Sequence, residues 1–373
     1  MLTTLLTWAV IILAVVLVCR LMKIYELSAE LRGGRPQWEV TEADNRMNAR
    51  LMMLFFIAFL AFAFWHLYEF VPKLLPKAAS QHGEETDWLF NFNMIIIGVV
   101  AIITNFCLFF FAYKYYGSKK NHTAAFFPES HKLELIWTVV PGIALTVIIF
   151  LGIKTWSEIT SAPEGKDNIV IELFAKQFDW TCRYSGKDNE LGKRNFKLIS
   201  DNNPMGLDLN DPKGADDIVV RNEFHIPVGK TIYFKFGSRD VLHSAYMPHF
   251  RAQMNCVPGM TTEFHFVPTI TTDSMRKDPQ VIKNIEEVNA ILAEQGLNKE
   301  EGPFEFNYLL LCNKICGLSH FNMQMNIIVD TPEEYAAWIA AQKTVGETMK
   351  AETAPAANLE AVSSGDKMIA EKK

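Results

Sequence analysis

Four stretches of this 373-residue chain carry no charged side chain: Met1 to Cys19, Leu51 to Tyr68, Trp88 to Tyr113, and Leu135 to Ile153. Each is about as long as the ~20 apolar residues that cross a bilayer as a helix, so each is read as a membrane span. A buried core helix is the alternative reading, and it weighs most on the second stretch, the shortest. Hydrophobic residues make up 49% of the chain against 21% charged, a balance that fits several spans better than a wholly soluble fold.

The loops between the spans set a direction. Arg20, Lys23, Arg32, Arg35, Arg46 and Arg50 follow the first span, and Lys114, Lys119, Lys120 and Lys132 follow the third. Residues 69–87 hold only Lys73 and Lys77 as basic residues, against Glu69, Glu84, Glu85 and Asp87. Positive-inside counting places the two basic loops in the cytoplasm and everything after Trp156 outside it. A cleaved signal peptide is the other reading of the first span. It lacks a basic n-region and a small-residue cleavage site before Arg20, and its removal would turn the basic loops outward.

From Asp167 the texture changes to short runs rich in branched and aromatic residues: residues 168–184, then IVVRNEFHI, TIYFKFG, TTEFHFV, FNYLLL and MQMNIIV. Turn signals such as Pro227-Val228-Gly229 and Pro258-Gly259 separate them, which predicts an all-β sandwich or barrel. Apolar residues at helical spacing predict a helix over 279–296, stopped at Gly296. Thr331-Pro332-Glu333-Glu334 reads as an N-cap, a Pro at N1 and first-turn acids, opening a helix over 333–342. Beyond about Thr344 the composition predicts a disordered tail. The net charge of -6 gives no reason to expect a nucleic-acid partner.

The chemistry concentrates between Leu311 and Met323, LCNKICGLSHFNM. Thiolate, imidazole and thioether together favour copper over magnesium or calcium. A mononuclear blue-copper site takes a single Cys, whereas Cys312 and Cys316 are two, and two thiolates can bridge two copper ions. A second histidine is then needed. His243, just after a predicted strand, is the best candidate, with Met323 as a weak axial donor and a carbonyl between the cysteines as another. The alternatives are a Cys312–Cys316 disulfide, which leaves His320 and Met323 unexplained, and structural zinc, which has no use for Met323. His225, His249 and His265 read as ordinary surface or core residues, and Cys182 and Cys256 as small buried hydrophobes.

With these residues in place the sequence resembles cytochrome c oxidase subunit II. Cys312 to Met323 follows the family's C-x-E-x-C-G-x-x-H-x-x-M loop. Asp240 to Ser244, Pro248 and Pro258-Gly259 follow its D-V-x-H-S motif and the prolines after it. Glu134 to Pro141 is similar to its E-x-x-W-T-x-x-P helix, and the likeness covers roughly residues 88–343. The resemblance implies a membrane-anchored all-β chain: transmembrane helices, about four here, followed by a cupredoxin-like sandwich. The expected division is a helix pair over 1–75, a helical hairpin over 88–156, a copper domain over 167–343 with the inserted helix, and a tail over 344–373.

The resemblance also implies a dinuclear copper centre, CuA, held by His243, Cys312, Cys316, His320, Met323 and the backbone carbonyl of Lys314. It implies electrons taken singly from cytochrome c, or from a c-type haem subunit, and passed to haem in subunit I for oxygen reduction coupled to proton pumping. The setting would be a bacterial inner membrane, with the copper domain periplasmic and other oxidase subunits and the lipid bilayer as partners. Phe178 and Trp180, in Gln177-Phe178-Asp179-Trp180, stand where the family places its electron-entry aromatics, with Tyr246 as a further possibility. Glu134 stands where it places a carboxylate at the mouth of a proton pathway, and a Glu resting at the headgroup boundary is the plainer reading.

The chain departs from the family in four places, the first being Phe178 where the family has the leading Trp of its Trp-Tyr-Trp run. Lys314 replaces a Glu that reaches magnesium at the subunit interface, and an ammonium group cannot ligate a cation, which argues against that magnesium site. The N-terminal helix pair and the long segment between Gly259 and Cys312 are additional, and both suggest docking surfaces for other subunits, with bracing of the chain itself as the alternative reading. Three rival functions are weighed. A quinol oxidase subunit lacks the copper ligands, a nitrous oxide reductase needs a propeller, and a copper carrier does without a strand-borne His243. The chain has no C-x-x-C-H motif, so no haem is expected to be attached to it.

Overall fold

The computed structural model describes residues 2–31, 40–118, 123, 126–163, 165, 167–200, 203–296 and 303–348. Arg32, Arg35, Lys119 and Lys120, and the expected tail from 349 on, lie outside them. Among the described residues, four helices are long and apolar enough to cross a membrane: α1 (Leu2–Leu31), α2 (Glu42–Phe70), α3 (Gln81–Lys114) and α4 (His131–Thr160). Helices α2, α3 and α4 each contain one of the apolar stretches and run past it at both ends, and α1 covers the first stretch from Leu2 and runs past it. Helical hydrogen bonding continues into polar residues that can sit at headgroup depth. Thr41 caps α2 reciprocally with Asp44, which fixes where that helix starts. Side chains in these helices are almost all uncovered, with none of the α1, α3 or α4 spans and 6% of α2 buried. Such surface needs lipid or other subunits over it.

The chain divides into two compact units, Met1–Val71 with Ile96–Glu134, and Pro72–Ile95 with Leu135–Lys373. In the first, Phe56 stacks on Phe109 at 4.8 Å and the Asn45 amide donates to the Gly117 carbonyl at 3.1 Å, pairing α2 with α3.

The second unit holds ten strands in two five-stranded sheets. The first sheet has the order β3 (Ile218–Val220), β2 (Asp179–Tyr184), β1 (Asn168–Lys176), β5 (Thr231–Ser238), β8 (Thr262–Phe266). The second has the order β4 (Glu223–Pro227), β10 (Gln324–Asp330), β9 (Tyr308–Cys312), β6 (His243–Met247), β7 (Ala252–Cys256). Pairing is antiparallel except for β1 with β5 and β4 with β10. Alternating residues from both sheets fill the space between them, among them Trp180, Phe224, Phe234, Phe236, Phe264, Phe266 and Tyr308, with Phe250 from the turn between β6 and β7, each at most 1% exposed. Full burial of such a side chain contributes about 1.5–3 kcal/mol.

The membrane-side end is tied in by hydrogen bonds. Ala79 N–H donates to His249 O at 2.7 Å, and the Ser80 hydroxyl donates to Phe250 O at 2.7 Å. Arg251 grips the Asp87 carboxylate with Nε and Nη2 at 2.7 and 2.8 Å.

The sandwich expected from the sequence is present, with corrections in detail. Residues 168–184 form two strands joined at Gln177-Phe178, not one run. Strands β6 and β7 and a short helix α5 (Thr272–Arg276) escape the sequence pattern. The long segment after Gly259 is not all additional, because β8 pairs with β5 in the core sheet. The excursion proper runs from α5 through α6 (Pro279–Glu294), where the helix over 279–296 was expected. At its neck Arg276 donates to Phe306 O at 3.0 Å and to Asn307 Oδ1 at 2.8 Å. Helix α7 (Pro332–Ala341) opens on the Thr331–Glu334 capping box. Residues 344–348, read with the tail, are anchored instead: Thr344 bridges to Ile218, and Val345 N–H donates to Asp217 O at 2.8 Å.

Candidate metal centre

Strands β9 and β10 are neighbours in the second sheet, and the chain between them is the Cys312–Met323 loop. Strand β6 lies on the other side of β9, with Ala245 opposite Cys312 and His243 as its first residue. His243 therefore opens a strand of its own rather than ending the TIYFKFG strand. The start of β6, the end of β9 and the loop from β9 to β10 thus carry every side-chain donor expected from the sequence.

Cys312 Sγ and Cys316 Sγ are 3.9 Å apart, and both thiols are free. His243 Nδ1 lies 3.7 Å from Cys312 Sγ, and His320 Nδ1 lies 3.6 Å from Cys316 Sγ. Met323 Sδ is 3.8 Å from Cys316 Sγ, and the Cys312 thiol donates to the Lys314 carbonyl at 3.3 Å. Metal–sulfur bonds of about 2.3 Å and metal–nitrogen bonds of about 2.0–2.1 Å in a tetrahedron give donor–donor edges of about 3.5–3.8 Å. The observed separations are of that size, so the donor set fits metal binding without rearrangement. His243, Cys312 and Cys316 offer ligand atoms all within 4.8 Å of one another.

His243 is fully buried, and Cys316 and Met323 are 5% and 2% exposed. Burial, and then the neighbouring Cys312, push the Cys316 thiol up to about 11 when no ion is present. A bound ion must displace that proton. The orientation of His243 comes from Asp240, whose Oδ1 accepts from Nε2–H at 2.9 Å and leaves Nδ1 facing the sulfurs. Burial pushes the Asp240 carboxyl up, but bonds from Gln177 N–H, His243 and Val241 N–H outweigh it and hold the group below its usual range.

The remaining expected residues are placed as follows. Lys314 is exposed and only its carbonyl turns toward the sulfurs. Trp180 is completely buried; its Nε1–H points at Met323 O, 3.5 Å away, and its ring centre is 6.4 Å from that of His243. It lies on the inward face of β2. Phe178, at the hairpin turn, is 36% exposed, and Tyr246 is half-buried on β6. Glu134 sits in the first turn of α4 with its carboxylate 3.3 Å from His131 Nδ1. The pairing of Asp240 with Gln177 was not anticipated, and no local pattern signals a contact across so many residues. Ile315, Leu318 and Phe321, each at least 88% exposed, form an apolar rim on the loop.

The family model for the transmembrane domain of cytochrome c oxidase subunit II matches residues 63–155. The alternative cytochrome c oxidase subunit 2 of Bradyrhizobium diazoefficiens is 32% identical over 260 residues, covering 69% of this chain and 78% of that protein. Cytochrome c oxidase subunit 2 of Cereibacter sphaeroides is 24% identical over 282 residues, covering 72% and 78%. The crystal structure of the periplasmic domain of subunit II of cytochrome oxidase of Bradyrhizobium japonicum covers 47% of this chain and 94% of its own, at 19% identity. Its TM-score of 0.28 is too low to add to the fold assignment. The first relative is similar enough over enough of its length to settle kinship: this chain belongs to the cytochrome c oxidase subunit II family.

Proposed function

We propose that the chain is the electron-entry subunit of a haem-copper oxidase and that its loop holds the dinuclear centre CuA. It takes single electrons from cytochrome c or a c-type haem subunit and delivers them to haem in subunit I, where oxygen is reduced to water and protons are pumped. The observation that carries this reading is the pair of thiols 3.9 Å apart, each with an imidazole nitrogen at 3.6–3.7 Å. Cys312, Cys316, His243 and His320, with Met323 Sδ and the Lys314 carbonyl as weaker donors, would hold the two ions. When bound, copper in this form supplies a one-electron store shared over two ions.

The protein's own part is to present the donors already placed, to exclude water by burying His243, Cys316 and Met323, and to hold His243 in one tautomer through Asp240. Of Phe178 and Trp180, Phe178 is the one whose ring a docking protein can touch. The copper domain over 167–343 lies on the periplasmic side of a bacterial inner membrane, as the basic loops argue. The helix pair over 1–75 serves contacts with other subunits, and Glu134 contributes to proton uptake.

The test is to purify the oxidase complex, count copper per copy of this chain and record its spectrum. Two ions with a delocalised mixed-valence signal support the reading. One copper, zinc or no metal refutes it.

A further inference from the structure

The turn joining β1 to β2 touches both halves of the metal site. Gln177 opens this two-residue turn, between the paired Lys176 and Asp179. Its main-chain N–H donates to Asp240 Oδ2 at 2.8 Å, and the other oxygen of that carboxylate holds His243 Nε2–H. Its side-chain amide donates to the backbone carbonyl of Cys316. One residue of the first sheet is therefore bonded, through one intermediary, to the strand-borne imidazole, and directly to the peptide that follows a bridging thiol.

The packing around the turn is close. Gly317 has φ +140, and a Cβ there would lie 2.8 Å from Phe178 Cζ and 3.0 Å from Gln177 Nε2. The loop is seated against the turn with no room for a side chain between them.

We propose that Gln177 is a positioning residue for the metal centre: it sets the Cys312–Met323 loop against His243 by hydrogen-bonding to both sides of the site. The Cys316 carbonyl is the lever. Anchoring that peptide fixes the direction from which Sγ of Cys316 approaches, and with it the Cys316–His320 and Cys316–Met323 separations. A free carbonyl would let the loop rotate about Gly317, whose backbone is the least restricted at this point. Supporting contacts of this kind typically change metal affinity 10–100-fold when removed. Gln177 is exposed, so the effect belongs at the lower end of that range.

This inference rests on the proposed copper reading, and the experiment separates the two. Gln177→Met keeps the length of the side chain and the main-chain bond to Asp240 and removes only the amide donor. Gln177→Glu turns an acceptor toward the Cys316 carbonyl. Both are made in the full chain, within the oxidase complex. Copper affinity is measured by chelator competition, the absorption and paramagnetic spectra of the loaded centre are recorded, and melting is followed without metal. The expected result is a roughly tenfold loss of affinity for Met, a loss at least as large for Glu, and shifted spectra in both, with melting unchanged. Affinity within about threefold of the parent with superimposable spectra overturns the proposal. So does lowered melting with unaltered spectra, which would make the bond a support of the fold and not of the ligands. A parent protein that takes up no copper refutes the copper reading itself, before either variant is compared.

Discussion

Asp240 and His243 form one functional pair: Oδ1 accepts from Nε2–H at 2.9 Å while Nδ1 stands 3.7 Å from Cys312 Sγ. The carboxylate thus decides which ring nitrogen is free to meet a metal. Asp240→Ala leaves the imidazole buried without its partner and free to change tautomer. Copper affinity by chelator competition should fall 10–100-fold, and the visible spectrum should broaden as His243 samples more than one orientation. Unaltered affinity would show that packing alone orients the ring.

Lys314 and Cys316 should respond oppositely to mutation. Only the carbonyl of Lys314 turns toward the sulfurs, so Lys314→Ala keeps nearly all the copper. Cys316→Ser removes one of the two thiols and should abolish the visible absorption of the proposed centre. Equal copper loss in the two variants, counted by elemental analysis, would give the Lys314 side chain a role its exposure does not suggest.

Gly317 occupies backbone that side chains avoid, and a Cβ would meet the Phe178 ring. Gly317→Ala should cost about 1–3 kcal/mol in thermal or denaturant unfolding. It should also displace the loop enough to lower copper occupancy. Retention of both would mean that the turn can withdraw.

His249 gives the fold a pH dependence of definite sign. Burial lowers its pKa, the bond from Nδ1–H to the Lys77 carbonyl opposes that shift, and nearby Arg251 adds to it. The folded protein therefore keeps this ring neutral while the unfolded chain protonates it near its ordinary value of about 6.5. Stability from this group is present above about pH 6.5 and is lost as pH falls below it toward the lower folded value. Unfolding midpoints measured from pH 8 to pH 5 should fall, and His249→Gln should flatten that part of the curve.

The loop was legible in the sequence because its donors lie within twelve consecutive positions, so spacing alone expresses the chemistry. The spans were legible for a similar reason, since each is a single uninterrupted apolar run. Strands β6 and β7 were not. His243-Ser244 and Gln253-Met254-Asn255 put polar groups where an apolar alternation is sought, and only the register of β6 between β7 and β9 makes sense of them. The burial of Trp180 and exposure of Phe178 depend on where the hairpin turns, and two adjacent aromatics do not reveal that. Gln177 carries no signal at all. Its importance is a contact with residues 63 and 139 positions away.

The Arg276 neck has a consequence for how this chain can vary. Because the excursion is closed where it leaves and re-enters the sandwich, lengthening or shortening it adds little chain-closure cost and moves neither β8 nor β9. Natural variation, or an inserted tag, can therefore accumulate around α6 while Cys312, at the far end of β9, stays in register with its neighbours.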